Sequence, residues 1–164
     1  MSINPAHIHL ALNHLPVLGV LFGTILLAVG LWRQNETIRR TSLVVLLLTG
    51  AAAGAVYLTG EPAEELIENT AGVSERQIER HEDAAVTATT GAALLGVAAL
   101  LLLWRSRRTG SMSSRLLVAI FGLALVTTVL MAWTANLGGQ IRHSEITTAG
   151  VTSTEAATPD DADD

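Results

Sequence analysis

LLVAIFGLALVTTVLMAWTANL, residues 116–137, runs for 22 residues without one charged side chain. Wound as an α-helix at about 1.5 Å per residue, it reaches about 33 Å, enough to cross a hydrocarbon core about 30 Å thick. The chain repeats this pattern. Residues 15–32, 43–58 and 84–104 form three more apolar blocks, the second of them short. With 49% hydrophobic and only 15% charged residues, the sequence is too apolar and too poor in charge for an ordinary soluble domain of 164 residues. The fold class expected is all-α: a transmembrane antiparallel four-helix bundle over residues 1–146, joined up-down-up-down by short turns, with a disordered acidic tail over 147–164. In such a ring the first and third spans are diagonal.

Charge sets the orientation. The ten basic residues are all arginine. Arg33, Arg39 and Arg40 separate the first two spans, and Arg105, Arg107, Arg108 and Arg115 separate the last two; only Arg76, Arg80 and Arg142 lie on the other side. The positive-inside rule puts both arginine-rich loops in the cytoplasm and both termini outside, in a multi-pass protein of the bacterial inner membrane. Trp32 and Trp104 then fall at the inner interface, and Tyr57 and Trp133 near the outer one. The segment before the first span lacks Arg and Lys and no small-residue cleavage site follows it, so that span is expected to be retained. A formal charge of −5 argues against nucleic acid as a partner, and the absence of cysteine excludes disulfides, thiolate metal sites and covalently attached haem.

Local signals mark the element ends. Asn4-Pro5 reads as a cap and a first-turn proline. Pro16 forces either a kink or a short helix over 5–12 followed by a new one capped by Asn13. Pro62 starts a short acidic helix that Gly72 ends. Ser74 with Gln77 forms a capping box and Val73 with Ile78 a staple, so the third long helix starts near Ser74, two to three turns before the membrane.

All five histidines belong to the outer end: His7, His9 and His14 before the first span, His81 before the third, His143 after the fourth. Histidines from three helices at one level are the pattern a bundle uses to build a cofactor or metal site. At about 100° per residue, His9 points about 140° away from His14. Below His81 the same face continues as Ala85, Ala88 and Ala92, a strip with room for something bulky. Haem b fits this reading, with the iron held by imidazoles of facing helices and the propionates paired to Arg80 and Arg142. The ligand pair expected is His14 with His81; His9 with His143 is the second choice or a second site. A redox partner at the outer face, or lipid-soluble quinone, would complete an electron-transfer role.

Plainer readings stand beside this one. The same histidines, with Glu82, Asp83 or Glu145, suit a Zn or Cu site. The chain is alternatively a non-catalytic scaffold subunit of a larger complex. The alanines and the pairs at Gly19 and Gly23 and at Gly50 and Gly54 read more simply as small-residue helix packing. Arg76 and Arg80 are expected to pair with Glu75, Glu79 or Glu82 along their own helix. At mid-depth the spans hold no carboxylate, arginine or histidine, only threonines among polar groups, which disfavours transport, and no nucleophile–base arrangement is visible.

His9 and His14, with Pro16 following, have the spacing of a known signature: His-Pro, three residues, then His-Phe-Pro, with Leu10 and Leu15 here replacing proline and phenylalanine. Leu137-Gly138-Gly139-Gln140, then His143, parallels a Leu-Gly-Gly-Glu segment followed by histidine. In these motifs the chain resembles the bacterial four-helix membrane proteins grouped as domain of unknown function 2231, across most of residues 7–145. The resemblance implies that His9, His14 and His143 share one site. It names no ligand.

Overall fold

The computed structural model describes residues 5–67 and 74–142, and no strand occurs among them. Helices α1 (Pro5–Leu12), α2 (His14–Trp32), α3 (Glu36–Tyr57), α4 (Gly60–Ile67), α5 (Glu75–Thr109) and α6 (Ser114–Arg142) follow one another along the chain. The long helices close a ring in the order α2, α3, α5, α6, so α2 and α5 face across it, while α1 and α4 pack together at one end. Four helical stretches, Ala6–Trp32, Glu36–Glu65, Glu75–Thr109 and Ser114–Ile141, are long and apolar enough to cross a membrane. The ring has a histidine end, with α1 and α4, and an arginine end, with the α2–α3 and α5–α6 turns.

The outer surface of the ring is oily. Phe22 is 57% exposed, Leu48 64% and Val129 69%, around a core of Leu27, Leu43, Leu46, Leu95 and Leu117. An exposed apolar band on this scale marks a surface made for lipid or for partners rather than water. Inside, no described carboxylate, arginine or histidine is buried, and every buried side-chain nitrogen or oxygen has a partner. Thr24, Thr49, Thr127 and Thr128 each direct a hydroxyl to the carbonyl four residues back. Thr24 and Thr128 also lie 3.1 Å apart, which ties α2 to α6 by a shared hydroxyl contact.

Small residues set the helix spacing. A Cβ on Gly50 would lie 2.7 Å from the Ala92 carbonyl oxygen and 3.1 Å from Gly96 Cα, so α3 and α5 touch backbone to backbone there. The packing reading of Gly19 and Gly23 holds as well, because they lie against Thr49 and Leu46. Gly54 has open space instead.

Several ends differ in detail from expectation. The first helix ends at Leu12 and the next begins at His14, but Asn13 keeps helical backbone angles and makes no side-chain cap. Its N–H still bonds the His9 carbonyl at 2.9 Å, so the boundary is a bend in a nearly continuous helix, placed where Pro16 cannot bond the Leu12 carbonyl. At α5, Ser74 is the extended residue before the first turn, as expected. Its hydroxyl makes no cap bond; its own carbonyl accepts from the Gln77 and Ile78 N–H groups. α4 begins two residues ahead of Pro62. Asn4, Gly72, Val73 and the tail over 147–164 lie outside the described residues.

At the arginine end, Arg33 stacks on Trp32 and Arg108 on Trp104, with guanidinium carbons 5.3 and 4.2 Å from the ring centroids. Arg40 pairs with Glu36, and the Arg39 Nε–H donates to the Gly30 carbonyl. The pairs expected between Arg76 or Arg80 and the glutamates of α5 are not formed among the described residues.

Candidate functional site

The buried stripe of α2 is Pro16, Val20, Gly23, Leu27 and Gly30, at helical spacing. Carried back seven residues, two turns, it arrives at His9. On α5 the stripe is Ile78, Ala88, Ala92, Leu95, Ala99 and Leu102. Seven residues before Ala88 stands His81. His81 therefore continues the inward stripe of α5, and His9, on α1, continues the stripe of α2 across the bend at Asn13.

The two rings are held in the same way. His81 Nδ1 lies 3.1 Å from the Thr134 carbonyl of α6. A carbonyl only accepts, so Nδ1 carries the proton and Nε2 of the neutral ring keeps its lone pair. His9 Nδ1 lies 2.9 Å from Thr59 Oγ1, in the turn between α3 and α4. The Thr59 hydroxyl spends its proton on the Val56 carbonyl at 2.6 Å, so Nδ1 of His9 must donate too. Both imidazoles thus present Nε2 as a free base. Metal-binding histidines are oriented by this kind of backbone or hydroxyl anchor on the other nitrogen.

Burial tunes both rings, which lie beyond the apolar blocks of their helices. It pushes His9 below its ordinary value of 6.5, with the Val56 carbonyl pulling the other way. It pushes His81 below 6.5 too, opposed by the Thr134 carbonyl and reinforced by charge on His9. Charge on His9 thus reaches His81. Near neutral pH both rings are uncharged.

Glycine makes the room. A Cβ on Gly138 of α6 would stand 3.0 Å from His81 Cε1, and one on Gly60 would stand 3.8 Å from His9 Cε1. Gly138, Gly60, Thr59 and Thr134 are the site residues that sequence reasoning missed. Only Gly138 carried a signal, as part of the Leu-Gly-Gly segment.

The other expected residues fall elsewhere. His14 is exposed and its Nδ1 bonds the Leu10 carbonyl of α1, four residues back, at 3.0 Å. His7 and Arg80 are exposed as well. His9 and His81 are thus the partly buried histidines, whereas His14, the expected partner of His81, is exposed. The physical reason is helical geometry: the backbone stays helical through Asn13, so His9 and His14, five residues apart, keep to different faces and His14 turns outward. Glu82 and Asp83 are exposed and follow His81 by one and two residues, which turns them about 100° and 200° away from its face. Among the described residues, no three histidines or carboxylates form a group able to hold a metal. His143, Glu145 and the side chain of Arg142 lie outside the described residues. The lower part of the alanine strip is closed: Ala88 and Ala92 are each 1% exposed, and the Ala92 carbonyl faces Gly50 of α3, while Ala85, nearest His81, is half-buried.

The described residues are all helical, with four helices long and apolar enough to cross a membrane and two partly buried histidines at one end of the ring; that is the class the fold defines. Comparison with protein-family models, with curated proteins and with solved structures finds no match. The resemblance to domain of unknown function 2231 therefore rests on the motifs at His9, His14 and Leu137–His143 alone.

Proposed function

We propose that this protein is a multi-pass protein of a bacterial inner membrane, with its arginine end in the cytoplasm, that holds one Cu or Zn ion at its outer face between Nε2 of His9 and Nε2 of His81. The observation that carries the reading is the matched anchoring of the two imidazoles, each with Nδ1–H committed to the chain and Nε2 left as a neutral donor. Imidazole nitrogen suits Cu and Zn, and a site with few protein ligands keeps coordination positions open for water or an incoming group. An open site at the membrane surface fits binding and exchange of the ion better than a closed structural role. Haem b is the less favoured ligand: the space it requires over Ala88 and Ala92 is filled by helix packing.

The test uses the untagged full chain, purified in mild detergent, stripped with chelator and titrated with Cu²⁺ or Zn²⁺. One ion per chain is expected, lost in His9→Ala and in His81→Ala and retained in His14→Ala. Oxidised and dithionite-reduced absorption spectra are recorded on the same preparation before stripping. Binding that survives loss of both His9 and His81 refutes the site. Sharp haem bands that depend on His81 would replace the bare ion with haem b.

A further inference from the structure

The α5–α6 side of the arginine end carries a feature that the histidine site does not use. Leu101 and Leu102 of α5 and Ala119 and Ile120 of α6 wall an apolar groove of about 350 Å³, and Arg105 stands at its edge. The groove opens on the apolar surface of the ring and ends near the α5–α6 turn, whose flanking helix ends carry Arg105, Arg107, Arg108 and Arg115 with no acidic residue from 105 to 115.

The neighbouring turn is different. There Arg40 is neutralised by Glu36, Arg39 bonds the Gly30 carbonyl, and Arg33 lies on Trp32. At the α5–α6 turn Arg108 lies on Trp104, but among the described residues no hydrogen bond or ion pair engages the Arg105 guanidinium. A cation without a carboxylate, set at the mouth of an oily groove at the interfacial depth of Trp104, is complementary to a molecule with an anionic head and an alkyl tail. Basic pockets between helices on the cytoplasmic side bind anionic lipid headgroups on these grounds.

We infer that the groove between α5 and α6 is a binding site for one anionic phospholipid, with an acyl chain along Leu101, Leu102, Ala119 and Ile120 and the phosphate on Arg105. The inference rests on the membrane reading above, and its test separates the two. The full chain is reconstituted into phosphatidylcholine vesicles, where co-flotation reports insertion. It is then transferred to mild detergent with phosphatidylglycerol and phosphatidylcholine in competition, and native mass spectrometry counts the retained lipid.

One phosphatidylglycerol is expected on each chain in preference to phosphatidylcholine. Arg105→Gln lowers that preference about fivefold, the effect of one interfacial arginine. Arg107→Gln removes the same charge away from the groove and leaves the preference unchanged. Ala119→Phe fills the groove and displaces both lipids. Equal retention of the two lipids by the wild-type chain overturns the site. Equal effects of the two arginine variants overturn it as well, because diffuse charge then suffices. A chain that fails to float refutes the membrane reading on which the site depends.

Discussion

Replacing Gly50 by alanine tests whether backbone contact between α3 and α5 sets the width of the bundle. The added methyl would stand 2.7 Å from the Ala92 carbonyl oxygen and 3.1 Å from Gly96 Cα. Favourable non-bonded separations are about 3.5–4.0 Å, so the helices must part by roughly 0.5–1 Å. Both obstacles are main chain, and neither can swing aside as a side-chain end would. Overpacking of this kind costs about 1–3 kcal/mol, and a gap of that size forfeits about a quarter to a half of each neighbouring contact. Against it runs the helix preference for alanine over glycine, about 0.8–1 kcal/mol.

Gly54 supplies the control. It lies four residues on in the same helix, with nothing within 4 Å of the added methyl, so Gly54→Ala keeps the helix gain without the clash. The two variants are expected to differ by about 1–3 kcal/mol, Gly50→Ala being the less stable. Equilibrium unfolding of the full chain from mild detergent into sodium dodecyl sulfate, followed by helical circular dichroism, measures the difference. If Gly50→Ala is as stable as Gly54→Ala, the close approach of α3 and α5 is wrong.

Two further outcomes concern the histidine site. Thr59→Val keeps the shape of the side chain but removes the oxygen that receives His9 Nδ1–H; it is expected to weaken Cu²⁺ or Zn²⁺ binding about 10–100-fold, with Thr59→Ser near wild type, by calorimetric titration. Acid should destabilise the fold through the same rings. Because folding depresses both histidines below 6.5, the unfolded chain binds more protons in the window under that value, so their contribution is complete above pH 6.5 and is lost as pH falls through the depressed values. The metal-free unfolding midpoint should therefore decline with acid more steeply in wild type than in the His9→Ala, His81→Ala double variant. Parallel declines would show that other groups govern acid stability.

The long helices were legible because their causes are local. The apolar blocks, the bend before Pro16, the start beside Ser74 and the arginine-rich turns depend on residues a few positions apart, and each lies close to where the sequence put it. The rotation of those helices was not legible. A helix that is apolar all round has no strong moment to say which stripe turns inward, and lipid tails are as apolar as leucine, so the contrast that orients a soluble helix is missing. His14 is nearer the apolar block than His9, and counting depth favoured it. The stripe through Pro16, Val20 and Gly23 selects His9 instead, and that stripe is known only once α2 is packed against α3 and α6.

The alanines below His81 carry the same lesson. As letters they are a gap; in the fold the gap is shut, because Gly50 and Gly96 let two backbones meet beside Ala92. The sequence by itself determined the helices, the oily surface, the charge-free interior and the gathering of histidines at one end, all through short-range chain chemistry. Tertiary structure decided which two of those histidines are partly buried, what holds the Nδ1 of each and how closely the helices pack below them. Those outcomes depend on the turn of one helix against another, fixed by contacts between residues tens of positions apart.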